Sequence, residues 1–198
     1  MPVSTGSTNG SSYGSTNGSS YGSSRTSIRA SGPEDLPDDV DGFARTIVYD
    51  RLAVSARSRA DLEQALAKKH VPAEVATAVL DRFEEAGLID DEDFARSWVQ
   101  SRQRSKGLSS RVLAMELHRK GIDKEIADEV LAELDPETER QSAHLLVQRT
   151  LRSMSALDDS TKIRRLTGML ARKGYSPGVA FEVVRIELGA EAQALDSM

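Results

Sequence analysis

The chain repeats a helical pattern of apolar residues at an interval of 51 residues, and no gap is needed to align the first two copies. The residue pairs at this interval are Ala44 and Ala95, Leu62 and Leu113, Leu66 and Leu117, Val71 and Ile122, Val75 and Ile126, Val79 and Val130, and Leu80 and Leu131. A third copy follows at 53 residues, where Leu166, Leu170, Gly174, Tyr175, Val179 and Val183 match Leu113, Leu117, Gly121, Ile122, Ile126 and Val130. A fixed period of this length is typical of stacked units that build an elongated molecule. Such a shape suits a protein that grips a large partner better than it suits an enzyme pocket.

Composition narrows the chemistry further. The chain has 198 residues, 38% of them apolar and 29% charged, and it contains no cysteine. The lack of cysteine excludes disulfides, thiolate catalysis and cysteine-ligated zinc. No apolar run reaches the roughly 18 residues of a membrane span, and the N-terminus lacks a basic-then-apolar export signal. We therefore expect a cytoplasmic protein that does not contact a membrane.

The charges are segregated along the chain, although the net charge is only -5. Residues 95–120 carry 7 basic side chains and 1 acidic one, and residues 140–173 carry 8 basic and 2 acidic ones. Between them, residues 123–139 carry 8 acidic side chains and 1 lysine. Blocks of opposite sign indicate a charged recognition surface more than a uniform field.

Residues 1–42 are predicted to be a disordered tail. The octapeptide STNGSSYG occurs at 7–14 and again at 15–22, and few aliphatic residues occur before Asp41. Such a segment buries too little apolar surface to offset an ordering entropy of roughly 1–2 kcal/mol per residue. An alternative role as a regulatory or tethering arm stays open because residues 34–41 are acidic.

From Phe43 onward the periodicity is helical, so the predicted fold class is all-α. We expect three tandem three-helix repeats, at 43–89, 90–135 and 136–198, that form an elongated, curved, solenoid-like molecule. Expected N-caps are Ser58, Asp90 or Asp91, Ser109 or Ser110, and Asp123, with Pro72 opening a third helix and Pro136 marking a boundary. Expected helix ends lie at Gly87, Gly107, Gly121, Gly174 and Gly189. The helices of the third repeat are predicted near 137–151, 160–173 and 177–188.

The segment GLIDDEDFARSWVQSRQRSKGLSSRVLAMELHRKGI, residues 87–122, resembles the most recognisable stretch of the RecX family. The features that carry this resemblance are the run 88–91, Phe94 and Ala95, Trp98, Arg102, Gly107, Glu116 and Leu117, the run 120–122, and in the third copy Leu170 and the run 172–175. The resemblance spans residues 43–188 and does not extend to the N-terminal tail.

The resemblance implies a nine-helix regulatory protein that lies in the helical groove of a RecA–DNA filament. Such proteins suppress the ATP hydrolysis, strand exchange and coprotease activity of RecA, and they have no catalytic activity of their own. We therefore expect RecA as the partner, single- or double-stranded DNA as a further partner, a monomeric state, and a role in recombination, DNA repair and the SOS response.

The candidate residues for contact with the partner or with phosphate are basic. They are Arg102, Arg104, Lys106, Arg111, Arg119, Lys120, Arg164, Arg165, Arg172 and Lys173. A solvated charged face would explain them equally, but few acidic residues lie nearby to neutralise them, and an acidic surface or phosphate would. Arg51 and Arg102 occupy equivalent positions, where a guanidinium could either cap a helix C-terminus or anchor a partner.

Other candidate sites are weaker. The acidic run 90–93 lacks the ligand spacing of a calcium loop, and His70, His118 and His144 have no zinc-site spacing, so we predict no metal and no cofactor. Phe94 and Trp98 are predicted to pack in a core. No catalytic motif is recognisable. Two alternatives to a filament regulator stay open: a direct DNA-binding protein with helix-turn-helix-like units, and an α-solenoid scaffold for another partner.

Overall fold

The computed structural model describes residues 36–196, with side chains as far as Glu191. Most of the predicted tail, residues 1–42, therefore lies outside the described residues. Within them the chain forms helices and no strand. The helices are α1 (Val40–Val54), α2 (Arg59–Ala67), α3 (Ala73–Glu85), α4 (Asp91–Lys106), α5 (Ser110–Arg119), α6 (Lys124–Ala132), α7 (Pro136–Leu151), α8 (Asp159–Arg172) and α9 (Pro177–Asp196). The predicted all-α class is confirmed.

Most helix boundaries follow from local side-chain and backbone chemistry. The Ser58 hydroxyl accepts a hydrogen bond from the Asp61 N–H, and the Asp90 carboxylate accepts one from the Asp93 N–H, as expected of N-caps. Ser109 and Asp123 occupy the cap positions of α5 and α6 without a side-chain cap bond. The predicted breaks at Gly87, Gly107, Gly121 and Gly174 coincide with a left-handed backbone, with φ of 67°, 56°, 73° and 94°.

One predicted helix end is wrong, because α9 continues through Gly189 to Asp196. A glycine inside a helix costs about 1 kcal/mol relative to alanine, which the alanine-rich continuation can offset. The Glu191 carboxylate also accepts a bond of 3.0 Å from the Lys162 ammonium of α8, so the extension is anchored by a tertiary contact.

Three separate cores form, one in each set of three helices, which we call units 1, 2 and 3. The predicted repeat is visible in the buried positions, which recur in all three units. They are Ala44, Ala95 and Ala143; Val48, Val99 and Val147; Leu62, Leu113 and Leu166; Leu66, Leu117 and Leu170; Val71, Ile122 and Tyr175; Ala76, Ala127 and Ala180; and Val79, Val130 and Val183. Each unit therefore buries the same internal surface, and the units follow one another in tandem instead of sharing one centre.

Neighbouring units meet through equivalent hydrogen bonds, at two contacts that we call junction 1 and junction 2. At junction 1, between units 1 and 2, the Ser58 hydroxyl donates to the Lys120 carbonyl at 2.7 Å and the Arg59 N–H donates to Asp91 Oδ1 at 2.8 Å. At junction 2, between units 2 and 3, the Ser109 N–H donates to the Lys173 carbonyl at 3.0 Å. The Ser110 N–H and hydroxyl both donate to Glu139 Oε2, at 3.1 and 2.7 Å. In units 1 and 2, the start of the second helix thus docks onto the following unit.

No helix within the described residues is both long and apolar enough to cross a membrane.

Candidate partner-binding surface

Arg102 is held inside unit 2 by a cluster around Trp98. Its Nε lies 3.2 Å from Glu116 Oε2, and its guanidinium lies 4.1 Å from the centre of the Trp98 ring. The indole N–H donates to the same Glu116 carboxylate at 2.9 Å. The Trp98 ring also stacks on Phe94, with 5.7 Å between ring centroids, so the predicted core packing of this pair is confirmed. Cation–π contact and the shared carboxylate give Arg102 an internal structural role.

Lys120 is also engaged within the protein. Its ammonium lies 2.8 Å from Asp61 Oδ2 across junction 1 and 5.0 Å from the centre of the Trp98 ring. The interaction joins units 1 and 2, because Asp61 belongs to α2 and Lys120 is the C-cap residue of α5. Two of the ten predicted contact residues, Arg102 and Lys120, thus have carboxylate partners inside the chain.

Seven of the other predicted contact residues are exposed and have no carboxylate partner within the described part of the chain. They are Arg104, Lys106, Arg111, Arg119, Arg164, Arg165 and Arg172. Basic side chains elsewhere in the same fold do find carboxylates: Arg59 pairs with Asp81 and Glu84, and Arg96 pairs with Glu92 and Glu133. These carboxylates raise the pKa of Arg59 above its ordinary value against an opposing effect of burial. Within the described residues, the charge of these seven exposed cations is not neutralised by a carboxylate.

Lys173 differs from those seven because it is half-buried at junction 2. Its ammonium donates to the carbonyl of Lys106 at the end of α4. Burial, and then the charge of Lys106, hold the pKa of Lys173 below its ordinary value. The hydroxyl of Tyr175 donates to the neighbouring Gly107 carbonyl at 3.2 Å. Burial and the nearby Glu139 carboxylate raise the pKa of Tyr175 to about 12.

Two surface cavities are lined by five of these seven cations. A cavity of about 230 Å³ lies between the end of α4 and α7, with Arg104, Lys106 and Arg149 among its lining residues and no acidic side chain. A cavity of about 440 Å³ lies between α7 and α8 and is lined by Thr150, Met154, Arg164, Arg165, Met169 and Arg172. Both cavities include residues of α7, so the fold brings basic residues of units 2 and 3 to adjacent sites. Guanidinium groups of this kind bind phosphate or carboxylate groups.

Arg149 is a cavity residue that the sequence pattern did not single out. It lies in the basic stretch 140–173, and the signal that could have identified it is its helical spacing from Leu145 and Ser142, which line the same cavity. Arg111 and Arg119 lie on α5 and line neither cavity.

Several of the acidic and histidine candidates have structural contacts. Asp90 caps α4, and Asp91 accepts the Arg59 N–H of the preceding unit. The ring Nδ1 of His144 lies 2.6 Å from Glu187 Oε1 in a partly buried contact within unit 3. No group of three or more potential metal ligands is found within the part of the chain that the structure describes.

Comparison with known proteins finds a match to the same family in each of the three units. The family models that match are described as the RecX first three-helix domain at residues 44–83, the RecX second three-helix domain at 90–131 and the RecX third three-helix domain at 137–184. A protein named regulatory protein RecX from Mycobacterium avium is 50% identical over 151 residues, which cover 76% of this chain and 87% of that protein. Its namesake from Streptomyces coelicolor is 45% identical over 168 residues, 85% of this chain and 89% of that protein.

A solved structure has the same fold. The crystal structure of RecX from Lactobacillus salivarius superposes with a TM-score of 0.66 at 19% sequence identity, and the match covers 74% of this chain and 96% of that one.

Proposed function

Because the chain belongs to the RecX family of regulatory proteins, we propose that it binds in the groove of a RecA–DNA filament and inhibits the ATP hydrolysis, strand exchange and coprotease activity of RecA. In this way it would modulate recombination, DNA repair and the SOS response. The observation that carries the proposal is the family match in all three units. The protein acts in the cytoplasm as a monomer, without a cofactor or a catalytic activity of its own.

The proposed contact surface consists of the exposed cations that have no carboxylate partner in the described part of the chain. Arg102 and Lys120 are also predicted contact residues, and we give these two an indirect part because they fix the Trp98 cluster and junction 1. Unpaired cations repel one another and are costly to desolvate alone, so an acidic protein surface or a phosphate backbone is the natural complement. Association should therefore weaken as the salt concentration rises.

The proposed mechanism depends on the tandem arrangement of the units. A body of three units joined by hydrogen-bonded junctions can contact more than one subunit of a helical filament. It then resists the subunit rearrangement that accompanies ATP turnover, because that rearrangement would break contacts at one end of the body. It also occludes the route by which duplex DNA or a repressor reaches the filament.

A titration tests this function directly. The purified full chain is added to RecA on single-stranded DNA at low salt, and ATP hydrolysis and strand exchange are followed. We expect both rates to fall to a small fraction of the control at saturation, and to recover as salt is raised. If ATP hydrolysis and strand exchange continue at the control rate with saturating protein at low salt, the proposal is refuted.

Direct DNA binding without RecA is a second candidate, favoured by the arginine-lined cavity between α7 and α8. A DNA-binding protein would bind naked DNA tightly, with an affinity that falls steeply with salt. A filament regulator would bind naked DNA much more weakly than it binds the RecA–DNA filament. Measuring both affinities at one salt concentration separates the two candidates.

A further inference from the structure

Junctions 1 and 2 share a backbone arrangement but differ in charge. At junction 1 the Lys120 ammonium pairs with Asp61 at 2.8 Å. The repeat intervals make Lys173 the equivalent of Lys120 and Val112 the equivalent of Asp61. Junction 2 therefore retains the lysine and lacks the carboxylate that neutralises it.

No other carboxylate at junction 2 takes the place of Asp61. Glu139 is the equivalent of Asp91, and it already accepts both the N–H and the hydroxyl of Ser110. Lys173 instead donates to the Lys106 carbonyl, with the charge of Lys106 close enough to disfavour its own. In addition, the buried Ser109 hydroxyl has no hydrogen-bond partner within the described residues. Junction 2 thus contains a lysine whose charge is not neutralised by a carboxylate at the junction.

Further cations lie near this position, because Lys106, whose carbonyl accepts the bond from Lys173, also lines a basic cavity. Arg104, Lys106 and Arg149 line the cavity of about 230 Å³ beside it, together with Gly107 and Ser142. The C-terminus of α4 attracts cations, but the helix dipole supplies only about half a negative charge. Four cations, with Lys173 included, exceed that charge several-fold.

We propose that these four cations, which we call the junction cluster (Arg104, Lys106, Arg149 and Lys173), bind a phosphate group that takes the place of the missing carboxylate and fastens unit 3 to unit 2. Two guanidinium groups and two ammonium groups suit a phosphate, which offers several acceptor oxygens and up to two charges, better than a single carboxylate. The phosphate can be a free anion or part of a nucleic-acid backbone. The site adds to the proposed function and does not depend on RecA.

The first test uses the full chain without RecA. Inorganic phosphate is titrated in at constant ionic strength, with chloride as the compensating anion, and amide hydrogen exchange is followed in α5 and α8 near the junction. We expect saturable binding, and exchange that slows by about tenfold when phosphate reaches ten times its Kd. Equal exchange in phosphate and in chloride would overturn the proposal.

Matched variants test whether phosphate binds at junction 2 because this junction lacks a carboxylate. Val112→Asp places a carboxylate where Asp61 stands in junction 1, and it should weaken phosphate binding at least tenfold. Lys173→Gln should weaken it equally and provides the same test if the partly buried aspartate disturbs the fold. Asp61→Val is the control: it removes the carboxylate of junction 1, but Ala53 and Ser55 occupy the positions equivalent to Arg104 and Lys106. Phosphate should therefore give no protection at junction 1 in this variant. Undiminished binding by Val112→Asp and Lys173→Gln would contradict the site.

Competition then identifies the source of the phosphate. A single-stranded oligonucleotide that displaces inorganic phosphate from the wild type, and not from Lys173→Gln, indicates a phosphodiester. Binding of inorganic phosphate that the oligonucleotide leaves unchanged indicates a free anion. Protection by polyglutamate but not by phosphate would overturn the proposal in favour of an acidic protein segment. Because RecA is absent throughout, these results do not depend on whether the chain inhibits it.

Discussion

At the scale of single residues, one left-handed backbone position shows how docking between units selects an amino acid. Gly121 and Gly174 have φ of 73° and 94°, and a Cβ at either would clash with the preceding unit, at Ala60 or at Ser109 and Val112. The equivalent residue of unit 1 is His70, which is exposed and keeps the same backbone region at φ 59°. Histidine is accepted at position 70 because this position is exposed, whereas the close approach of the preceding unit requires glycine at the other two positions.

Gly121→Ala should therefore destabilise the protein more than Gly87→Ala does. Gly87 has φ of 67°, and a Cβ added there would meet nothing within 4 Å, so alanine adds only backbone strain of about 1–2 kcal/mol. At Gly121 the same strain is joined by the clash with Ala60. Chemical denaturation of the two variants measures the difference, and equal losses would show that junction 1 tolerates the extra carbon.

Charge reversal at the unpaired cations should separate binding from folding. Arg104→Glu combined with Lys106→Glu should leave helicity and Tm nearly unchanged, because neither side chain has a carboxylate partner among residues 36–191, and should weaken inhibition of RecA at least tenfold. Lys68→Glu combined with Arg185→Glu makes the same charge change at exposed positions elsewhere. The comparison is between the inhibition curves of the two double variants. Identical curves would mean that Arg104 and Lys106 are solvated surface residues that do not contact the partner.

The sequence identified the clusters of basic residues, but it did not predict which of these residues pair with a carboxylate. Within the stretch 95–120 Glu116 is the single acidic residue, so a count along the chain leaves nearly every basic residue there without a local partner. The fold brings Asp61 to Lys120 from 59 positions away, and it places Glu116 between Arg102 and Trp98. Pairing between units depends on how the units dock, which local charge counts do not contain.

At the scale of helices, local signals predicted most of the starts and most of the ends. Asp90, Ser58 and the left-handed glycines act as predicted, because caps are decided by three or four neighbouring residues. The predicted end of α9 is wrong because Gly189 lies in a helix that a tertiary contact extends, through Lys162 and Glu191. A glycine ends a helix only where no such contact outweighs its propensity.

Leu117→Ala should act on stability, whereas Met115→Ala should not. Leu117 is fully buried in the core of unit 2, and Met115 lies on the same helix at 49% exposure. Truncating a buried leucine costs about 2–5 kcal/mol, while surface changes stay within about 0.5 kcal/mol. Urea denaturation gives both free energies of unfolding. A loss below about 1 kcal/mol for Leu117→Ala would contradict tight packing at this position.

Asp158 should make α8 sensitive to acid. Its carboxylate accepts hydrogen bonds from the Ser160 hydroxyl at 2.6 Å and the Thr161 N–H at 2.9 Å, and these bonds hold its pKa well below the ordinary value. A lowered folded-state pKa means that the contribution to stability is complete above the unfolded pKa of about 3.9 and disappears as pH falls further.

The corresponding measurement compares Tm for the wild type and Asp158→Ala across pH. The difference should be constant from about pH 7 to pH 5 and should narrow below about pH 4. Glu182→Ala, at an exposed position on α9, should show no such narrowing. A difference that stays constant down to about pH 2 would mean that the cap does not depend on ionisation.

At the scale of the whole molecule, the period of the sequence was sufficient to predict three tandem units. The same seven positions are buried in each unit, and each unit has its own core. What the period did not reveal is the unequal charge of the junctions, because Asp61 and Val112 are equivalent in position but not in chemistry. The repeat predicts architecture, and the departures from it mark where the units differ.

The most direct test of the central claim is a three-dimensional electron-microscopy reconstruction of RecA–single-stranded DNA filaments saturated with the full chain. We predict continuous extra density along the helical groove, with each copy in contact with more than one RecA subunit and with α4, α7 and α8 facing the filament. Density confined to filament ends, or bare filaments at saturating protein, would contradict the proposal that this chain regulates RecA by occupying the groove.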